Sequence, residues 1–448
     1  MGNVTLLING REIRTDSNKT ILEAATENGI HIPTLCFLKD CCNVAACRMC
    51  VVEVKGQRLP AAACITTVRD GIEVTTDSEM LRNYRRTSLD LMCRNHRMDC
   101  EYCSRYSDCE FHALMRELDM DERKYQRYSG EKRLENSLKG FSFDSSKCVL
   151  CRRCVQMCQR QGMNILAVLQ RGKQAHIGSY GPLAETDCIQ CGQCMAVCPT
   201  GALFERNDMM TLWNVMERSL PVTMILASEV GTTIGECFHE AIGTDCEGKL
   251  IGVLRRMGIR RVCTYQRSKP ASPEQKLWIS GCCPAVSKLI QNRYPDLEKY
   301  LSDEKMPVAV AVEAARRDGD FVVAVGGCTS GKSAATGADL YMTVTELAAF
   351  IRRGCVSRFT AQQIWRETEP SDFDAVIPVS APSEDCVTVD NMMQIHALLH
   401  GIRSGEIISG HYELLACEGG CLMGGGTPRI ASSLRNAPEE NGRAEQNR

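Results

Sequence analysis

Two stretches with the same cysteine spacing decide how the middle of this chain folds: residues 148–158, CVLCRRCVQMC, and residues 188–199, CIQCGQCMAVCP. In each stretch three cysteines stand three residues apart, and a fourth follows four residues later. Thiolates are soft ligands that suit iron, and such short steps within one turn fit a four-iron cluster better than a tetrahedral zinc ion. We therefore predict that these stretches hold two [4Fe–4S] clusters.

The repeat also predicts which cysteines share a cluster. Its spacing is typical of bacterial two-cluster ferredoxins, in which the fourth cysteine of each stretch binds the cluster of the other stretch. One cluster is then held by Cys148, Cys151, Cys154 and Cys198. The other is held by Cys188, Cys191, Cys194 and Cys158. We assign this module to residues 126–210 and interpret residues 126–145, which show no apolar periodicity, as a polar linker.

The composition is consistent with clusters that stabilise small domains. The chain has 448 residues, 28 cysteines and only 5% aromatic residues, so large apolar cores are not expected in its cysteine-rich first half. A formal net charge of −2 gives no bulk attraction to nucleic acid. No apolar run reaches the ~18 residues of a membrane span, and the N-terminus lacks a basic stretch followed by an apolar core. We expect a cytoplasmic protein without nucleic-acid partners.

The N-terminal region, residues 1–78, predicts a [2Fe–2S] domain with a β-grasp fold. Residues 4–14, VTLLINGREIR, indicate a hairpin that turns at Asn9-Gly10, and a short helix follows from Thr20 to Asn28. The cysteines of this region are Cys36, Cys41, Cys42, Cys47, Cys50 and Cys64. Cys47, Cys50 and Cys64 are three ligands of the cluster. The first ligand is either Cys42, which gives the plant-type spacing, or Cys36.

Residues 79–125 are charged and predicted to be helical, and they contain the motif His96-x3-Cys100-x2-Cys103-x5-Cys109. One imidazole and three thiolates can hold zinc or a [4Fe–4S] cluster. Spacing alone does not separate the two interpretations. The neighbouring redox clusters favour a [4Fe–4S] cluster in this small helical module.

Residues 211–430 read as a reduced α/β domain, and residues 431–448 as a disordered tail. The strand-like runs are VTMILA, KLWISG, PVAVAV, DFVVAVGG and DAVIPVS, and TVTELAAFIRR is helix-like. Its unusual cysteines stand in ISGCCPAVSKLI (Cys282 and Cys283), VAVGGC (Cys328) and ACEGGCLMGGG (Cys417 and Cys421). Glycines around the last pair allow the backbone to approach a bulky group.

One motif in this domain has a second interpretation. Residues 326–333, GGCTSGKS, follow a strand and satisfy the phosphate-loop pattern G-x4-G-K-[ST]. That loop needs a helix that begins at the lysine, whereas Gly337 and the strand-like LYMTV argue against a long helix here. Nucleotide binding is the alternative interpretation.

The order of these motifs resembles the catalytic subunit of multi-cluster iron-only ([FeFe]) hydrogenases over roughly residues 4–428. SGCCPAV is similar to the family's TSCCPAW, VGGCTSGK to PCTAKK, and ACEGGCLMGGG to AC-x-GGC-x-x-GGG. The resemblance implies a [4Fe–4S] cluster of the H-cluster type, with Cys421 bridging to a diiron unit. The implied cluster ligands are Cys283, Cys328, Cys417 and Cys421. It also implies that Cys282 relays protons, and that Cys36, in PTLCF, is the first [2Fe–2S] ligand.

The chain departs from the family around this site. The family's lysine after the second-motif cysteine is Gly331, with Lys332 one step late, and its methionine and proline before that cysteine are Gly326 and Gly327. Further departures are Ala334 for a glutamate, Leu415 for a methionine, and Ala227-Ser228-Glu229-Val230-Gly231 for A-P-x-V-R. The family's acidic insert, which carries glutamates of its proton path, is replaced by RSKPASPEQK. We therefore expect no carboxylate relay behind Cys282, and Glu229 is either a substitute acid or a solvated charge.

The resemblance implies an oxidoreductase that interconverts 2H⁺ + 2e⁻ and H₂. Its cofactors are one [2Fe–2S] cluster, three [4Fe–4S] clusters that relay electrons, and one more [4Fe–4S] cluster in the C-terminal domain, with or without a diiron unit. The implied partners are ferredoxin or flavoprotein subunits that oxidise NAD(P)H, and maturation enzymes if the diiron unit is present. The alternative function is a hydrogen or redox sensor, or an electron-transfer subunit with little turnover. Loss of groups around a metal site commonly costs 10–100-fold, so we expect slow hydrogen turnover.

Overall fold

The computed structural model describes residues 2–103, 105, 109–125, 134–268, 275–354, 358–381 and 385–428. The predicted disordered tail, residues 431–448, and residues 126–133 of the predicted linker lie outside these residues. Among the helices of the described residues, none combines the length and the apolar character that a membrane crossing requires.

The N-terminal module is a mixed five-stranded sheet that packs on one helix. Its elements are β1 (Asn3–Ile8), β2 (Arg11–Asp16), α1 (Ile21–Glu27), β3 (Val51–Val54), β4 (Ala61–Ala62) and β5 (Glu73–Thr75). The strand order is β2-β1-β5-β3-β4, with β1 parallel to β5. Asn9 and Gly10 both have positive φ, as the tight turn between β1 and β2 requires, so the predicted hairpin is confirmed. The predicted helix is confirmed as well, and it begins with a capping box between Thr20 and Glu23.

The second module consists of two helices on either side of the His96 motif. They are α2 (Glu79–Cys93) and α3 (Glu110–Glu117). Arg85 lies on the buried face of α2 and donates hydrogen bonds to the carbonyl oxygens of Met49, Val51 and Thr76 at 2.8–2.9 Å. These three bonds hold the second module on the sheet of the first.

The third module wraps two short cysteine-bearing helices with short strands. Its elements are β6 (Leu134–Glu135), β7 (Phe141–Asp144), α4 (Arg153–Arg160), β8 (Ala167–Leu169), β9 (His176–Gly178), α5 (Gln193–Ala196) and β10 (Leu203–Glu205). β7 is the buried central strand of the sheet β10-β7-β6. The interpretation of residues 126–145 as a linker is therefore wrong for this part, because four residues are too few to show a periodicity.

The C-terminal domain is built on a five-stranded parallel sheet. Its first elements are α6 (Met209–Glu217), β11 (Val222–Leu226), α7 (Ser228–Ile234), α8 (Glu247–Arg256), β12 (Arg261–Ser268), β13 (Leu277–Ile279), α9 (Pro284–Arg293) and α10 (Pro307–Ala315). The remaining elements are β14 (Phe321–Gly326), β15 (Leu340–Thr343), α11 (Val344–Gly354), α12 (Arg358–Glu367), β16 (Ala375–Ser380), β17 (Val387–Val389), α13 (Met392–Ser404) and β18 (Gly410–Leu414). The sheet order is β15-β14-β11-β12-β16, and β13, β18 and β17 form a second parallel sheet. Both faces of β11 are buried, which explains its continuous apolar sequence.

One predicted strand of this domain is a helix. PVAVAV, predicted as a strand, begins α10, and Pro307 occupies the first turn, where its missing N–H costs nothing. Val308, Ala311, Val312 and Ala315 are buried, a spacing with helical period. The alternation of valine and alanine fits both the two-residue period of a strand and the 3.6-residue period of a helix, so the pattern alone did not distinguish them.

Replacement of Arg85 tests how the first two modules are joined. We expect Arg85→Leu to lower the free energy of unfolding by about 3 kcal/mol, because it leaves three buried carbonyl groups without their donor. Denaturant unfolding of the anaerobic protein measures this change. The control is Arg82→Leu, which removes an exposed, solvent-screened ion pair with Asp77 and should change the free energy of unfolding far less. Equal effects of the two changes would contradict the proposed joint.

Candidate metal centres

Four cysteines of the N-terminal module lie together, and the Cys42 thiol is directed toward the third module. The Sγ atoms of Cys50 and Cys64 are 3.3 Å apart, and the Cys36 N–H donates to Cys47 Sγ at 3.4 Å. The hydrogen bond from the Cys36 thiol lowers the pKa of Cys47 to about 6. Cys42 Sγ instead donates to the carbonyl oxygen of Cys151 in the third module, at 3.9 Å. The geometry therefore favours Cys36 over Cys42 as the first ligand.

The second module contains a neutral imidazole and a group of three thiols, and Lys147 interacts with both. Burial, followed by the charge of Lys147, lowers the pKa of His96 to about 4, so the ring is neutral at physiological pH. Its Nδ1 atom is buried without a hydrogen-bond partner within the described residues. A buried, unprotonated ring nitrogen without a partner fits a metal ligand. Cys109 and Cys103 lie close enough to Cys100 to contribute to its raised pKa, and Lys147 Nζ lies 3.6 Å from Cys103 Sγ.

The two cysteine stretches of the third module adopt the same loop conformation. Leu150 and Arg152 have positive φ, and so do the matching residues Gln190 and Gly192. Left-handed residues in such a loop turn neighbouring backbone N–H groups toward a common centre, which suits an anionic cluster. This conformation repeats because the spacing repeats.

The fourth cysteine of each stretch lies with the other stretch. Cys198 acts on the pKa values of Cys148, Cys151 and Cys154. A mostly apolar cavity is lined by Cys158, Cys188, Cys191 and Cys194. These are the two predicted crossed sets. Burial raises the pKa values of Cys154 and Cys194 well above the ordinary value, so their thiols need bound iron in order to ionise.

The four predicted cluster cysteines of the C-terminal domain also lie together. Burial, followed by the charges of neighbouring cysteines, raises the pKa of Cys328. Burial, followed by the charge of Glu229 and then those of the neighbouring cysteines, raises the pKa of Cys421. Cys328 stands at the carboxyl edge of the five-stranded sheet, next to the point where connections from β11 and β14 run in opposite directions, whereas Cys283, Cys417 and Cys421 follow strands of the second sheet. Ligands bind at such switch points in open parallel sheets. Across all the described residues, no group of three or more histidine, cysteine or acidic side chains is spaced to hold a single metal ion.

A direct contact joins the third module to this C-terminal site. Cys417 acts on the pKa of Cys191, second only to burial. Ser330 Oγ donates to the carbonyl oxygens of Ile189 and Gln190 at 3.0 and 2.9 Å, and Gly192 lies against Gly425. The loop that carries Cys191 therefore packs on the loops that carry Cys328 and Cys421.

Cys282 has a carboxylate partner that sequence analysis missed. The buried Cys282 thiol donates to Glu413 Oε1 at 3.4 Å. Glu413 is buried, lies 2.8 Å from Arg267, and accepts a hydrogen bond from Thr388. The expectation that no carboxylate lies behind Cys282 is therefore wrong. The only signal in the sequence was an acid inside β18, four residues before Cys417.

Lys332 points away from the cysteines. It forms ion pairs with the buried Glu346 at 2.5 Å and with Asp208 at 3.3 Å, and it donates to the carbonyl oxygen of Arg206. Residues 329–332 form a single 3₁₀ turn, and the chain then continues to β15 without a helix. A phosphate loop needs a helix N-terminus at its lysine, so this geometry does not support the nucleotide-binding interpretation.

Glu229 faces inward from the start of α7. Its carboxylate accepts a hydrogen bond from the N–H of Gly327 at 2.9 Å, and burial raises its pKa. The interpretation of Glu229 as a solvated charge is therefore wrong.

Serine replacements test the choice between Cys36 and Cys42. We expect Cys36→Ser to abolish the electron paramagnetic resonance signal of the reduced [2Fe–2S] cluster, because it removes a thiolate from the set of four. Cys42→Ser is the matched control and should keep that signal. Loss of the signal in Cys42→Ser alone would reverse the assignment.

Family models match four parts of the chain. Residues 2–79 match a 2Fe-2S iron-sulfur cluster binding domain, and residues 85–124 match the NADH-ubiquinone oxidoreductase-G iron-sulfur binding region. Residues 147–202 match a 4Fe-4S dicluster domain. Residues 220–385 match the C-terminal domain of the iron only hydrogenase large subunit. Iron–sulfur domains thus precede a hydrogenase-like domain of mixed α/β content.

Three relatives show how far the similarity extends. The NADP-reducing hydrogenase subunit HndD of Solidesulfovibrio fructosivorans is 28% identical over 96% of this chain and 89% of that protein. Iron hydrogenase 1 of Clostridium pasteurianum is 27% identical over 95% of this chain and 89% of that protein. The NADPH-Fe(3+) oxidoreductase subunit alpha of Geobacter sulfurreducens is 36% identical over 45% of this chain, but over only 24% of its own length. In its domain order and its cysteine sets, the chain is similar over nearly its whole length to multi-cluster iron-only hydrogenases.

Proposed function

We propose that this chain is an iron–sulfur oxidoreductase that relays electrons along its N-terminal clusters to or from a C-terminal site where 2H⁺ + 2e⁻ and H₂ interconvert. The contact between the Cys191 loop and the Cys417 loop carries the proposal. It puts the last relay cysteines against the C-terminal set, as electron transfer between two adjacent clusters requires.

The proposed cofactors follow from the donor sets. A β-grasp domain holds a [2Fe–2S] cluster, the small helical module holds the His96-ligated [4Fe–4S] cluster, and the ferredoxin domain holds two. The [2Fe–2S] ligands are Cys36, Cys47, Cys50 and Cys64. The ligands of the next cluster are His96, Cys100, Cys103 and Cys109. A neutral imidazole makes that cluster less anionic and raises its potential.

The C-terminal set, Cys283, Cys328, Cys417 and Cys421, would hold a [4Fe–4S] cluster with a diiron unit at Cys421. When bound, that unit supplies the site at which protons and electrons combine. Burial raises the pKa of the Cys282 thiol, so Cys282 holds its proton at neutral pH. Glu413 accepts a hydrogen bond from this thiol and is held by an ion pair with the partly exposed Arg267, so its carboxylate is positioned to exchange a proton with Cys282.

The proposed electron partner is ferredoxin or a flavoprotein subunit that oxidises NAD(P)H. Two of the relatives are named as subunits of NADP-linked or NADPH-linked enzymes. If the diiron unit is present, maturation enzymes are further partners.

A second function is favoured by the position of Lys332. Because this side chain is bound to Glu346 and directed away from the cysteines, the site lacks the cation that the family presents there. A sensor or an electron-transfer subunit with little turnover needs the [4Fe–4S] cluster but not fast proton chemistry.

Iron content tests the cluster assignment. Anaerobically prepared protein should contain about 14 iron atoms in the relay clusters and about 18 with the C-terminal cubane. Elemental analysis for iron and zinc measures this content. About 10 iron atoms together with bound zinc would mean that the His96 set and the C-terminal set are not cluster sites.

Hydrogen exchange tests the proton route. After maturation with a diiron precursor, we expect infrared bands of CO and cyanide together with slow H₂/D⁺ exchange. Glu413→Gln should slow that exchange by about 100-fold without changing the bands, because it removes the partner of the Cys282 thiol. The control is Glu313→Gln on the surface, where Glu313 pairs only with Lys305 among the ion pairs described.

Two other outcomes of these experiments would point to a different proton route or a different function. Loss of exchange in Glu229→Gln, but not in Glu413→Gln, would move the proton route to Glu229. Absence of the infrared bands after maturation would favour the second function.

A further inference from the structure

Two glycines beside Cys328 lie against one aromatic ring. A Cβ atom on Gly331 would stand 2.3 Å from Cζ of Tyr341, and one on Gly326 would stand 2.6 Å from the Tyr341 hydroxyl oxygen. Contacts below 3.0 Å do not occur, so no side chain fits at either position while the ring stays where it is. These are the positions at which the family resemblance sets a lysine and a methionine. Tyr341 thus occupies the space that those two side chains need.

Tyr341 is held firmly in this place. It lies in β15, where it pairs with Ala324 of β14, and it is 8% exposed. Its ring therefore packs between the sheet and the Gly326–Gly331 loop.

The Tyr341 hydroxyl lies against the loop that carries Cys328, near the Glu229 carboxyl group. The charges of Cys328, Glu229 and Cys421 add to burial in raising its pKa, so the phenol is a neutral donor at all relevant pH values. Glu229 Oε1 lies 3.4 Å from the same Cβ position on Gly326. The hydroxyl and the carboxyl group therefore border the same small space beside Cys421.

We propose that Tyr341 is the specificity-determining residue of the C-terminal site: its ring closes the space over Gly326 and Gly331, and its hydroxyl replaces a cationic side chain as the donor toward the cluster held at Cys421. The inference rests on the proposed function, since it needs a cluster at that set. The site then presents a neutral donor, because the ammonium group of Lys332 pairs with Glu346 instead. Such a site favours ligands that are less anionic than those held by the family.

The first test measures the C-terminal cubane without any diiron unit. Protein reconstituted with iron and sulfide is titrated with reductant, and the cubane is followed by electron paramagnetic resonance. In Tyr341→Phe we expect a more negative midpoint potential, because a donor toward the cluster stabilises its reduced, more anionic form. Tyr412→Phe is the matched control, since the hydroxyl of Tyr412, in β18, donates to the carbonyl oxygen of Ser409 just before that strand. Its potential should equal that of the unmodified protein.

The second test addresses the ring. Gly331→Ala should lose about four iron atoms, the cubane, because its Cβ atom collides with the ring. Tyr341→Ala with Gly331→Ala should regain them. Full iron content in Gly331→Ala alone would overturn the steric part of the proposal, and so would failure of the double variant to regain the cubane.

The outcomes separate this inference from the proposed function. An unchanged potential in Tyr341→Phe, with the cubane present, overturns the inference and leaves the electron relay intact. Absence of the cubane in the unmodified protein contradicts both. A shifted potential without hydrogen exchange after maturation supports the inference and contradicts the proposed turnover.

Discussion

The burial of thiols in groups of four is the constraint on which the rest of this molecule depends. A buried thiol resists ionisation, and several thiolates side by side are tolerated only around bound positive charge. The strands of the third module have two to four residues, and such short elements cannot bury a sizeable apolar core. We therefore expect folding of the third module to be coupled to the uptake of iron.

The parallel sheet of the C-terminal domain imposes a second constraint. Its carboxyl edge brings Cys328 and Glu229 together although they belong to different strand–loop units. This edge fixes where a cluster can be held, and it leaves the surrounding side chains free to change. The chain accordingly keeps the family's cysteines while Tyr341, Glu229 and Lys332 form contacts that the family pattern does not predict.

A contact could be predicted from the sequence when the two residues that form it lie close together along the chain. The crossed ferredoxin sets were predictable because short regular spacing places ligands within one or two turns, and the two stretches repeat. Glu413 was not predictable as the partner of Cys282, because 131 residues separate them and only the pairing of β13 with β18 joins their segments. Likewise, Tyr341 read as an ordinary strand residue, since nothing local reveals that two glycines lie against its ring. The helix at Pro307 was missed for a different reason, because small alternating residues satisfy both periods.

The close approach of Gly192 to Gly425 has a consequence for how such a chain diversifies. A Cβ atom on Gly425 would stand 2.6 Å from Oγ1 of Thr329 and 2.7 Å from the Cα of Gly192, so the two backbones approach closely beside the Thr329 side chain. The contact between the two proposed cofactor sites therefore relies on main chain and on two small side chains, Thr329 and Ser330. The side chains around the C-terminal site can therefore change in evolution while the close contact for electron transfer into that site is kept. Gly192 and Gly425 are the sensitive positions of this contact, because a methyl group at either one would force the two loops apart.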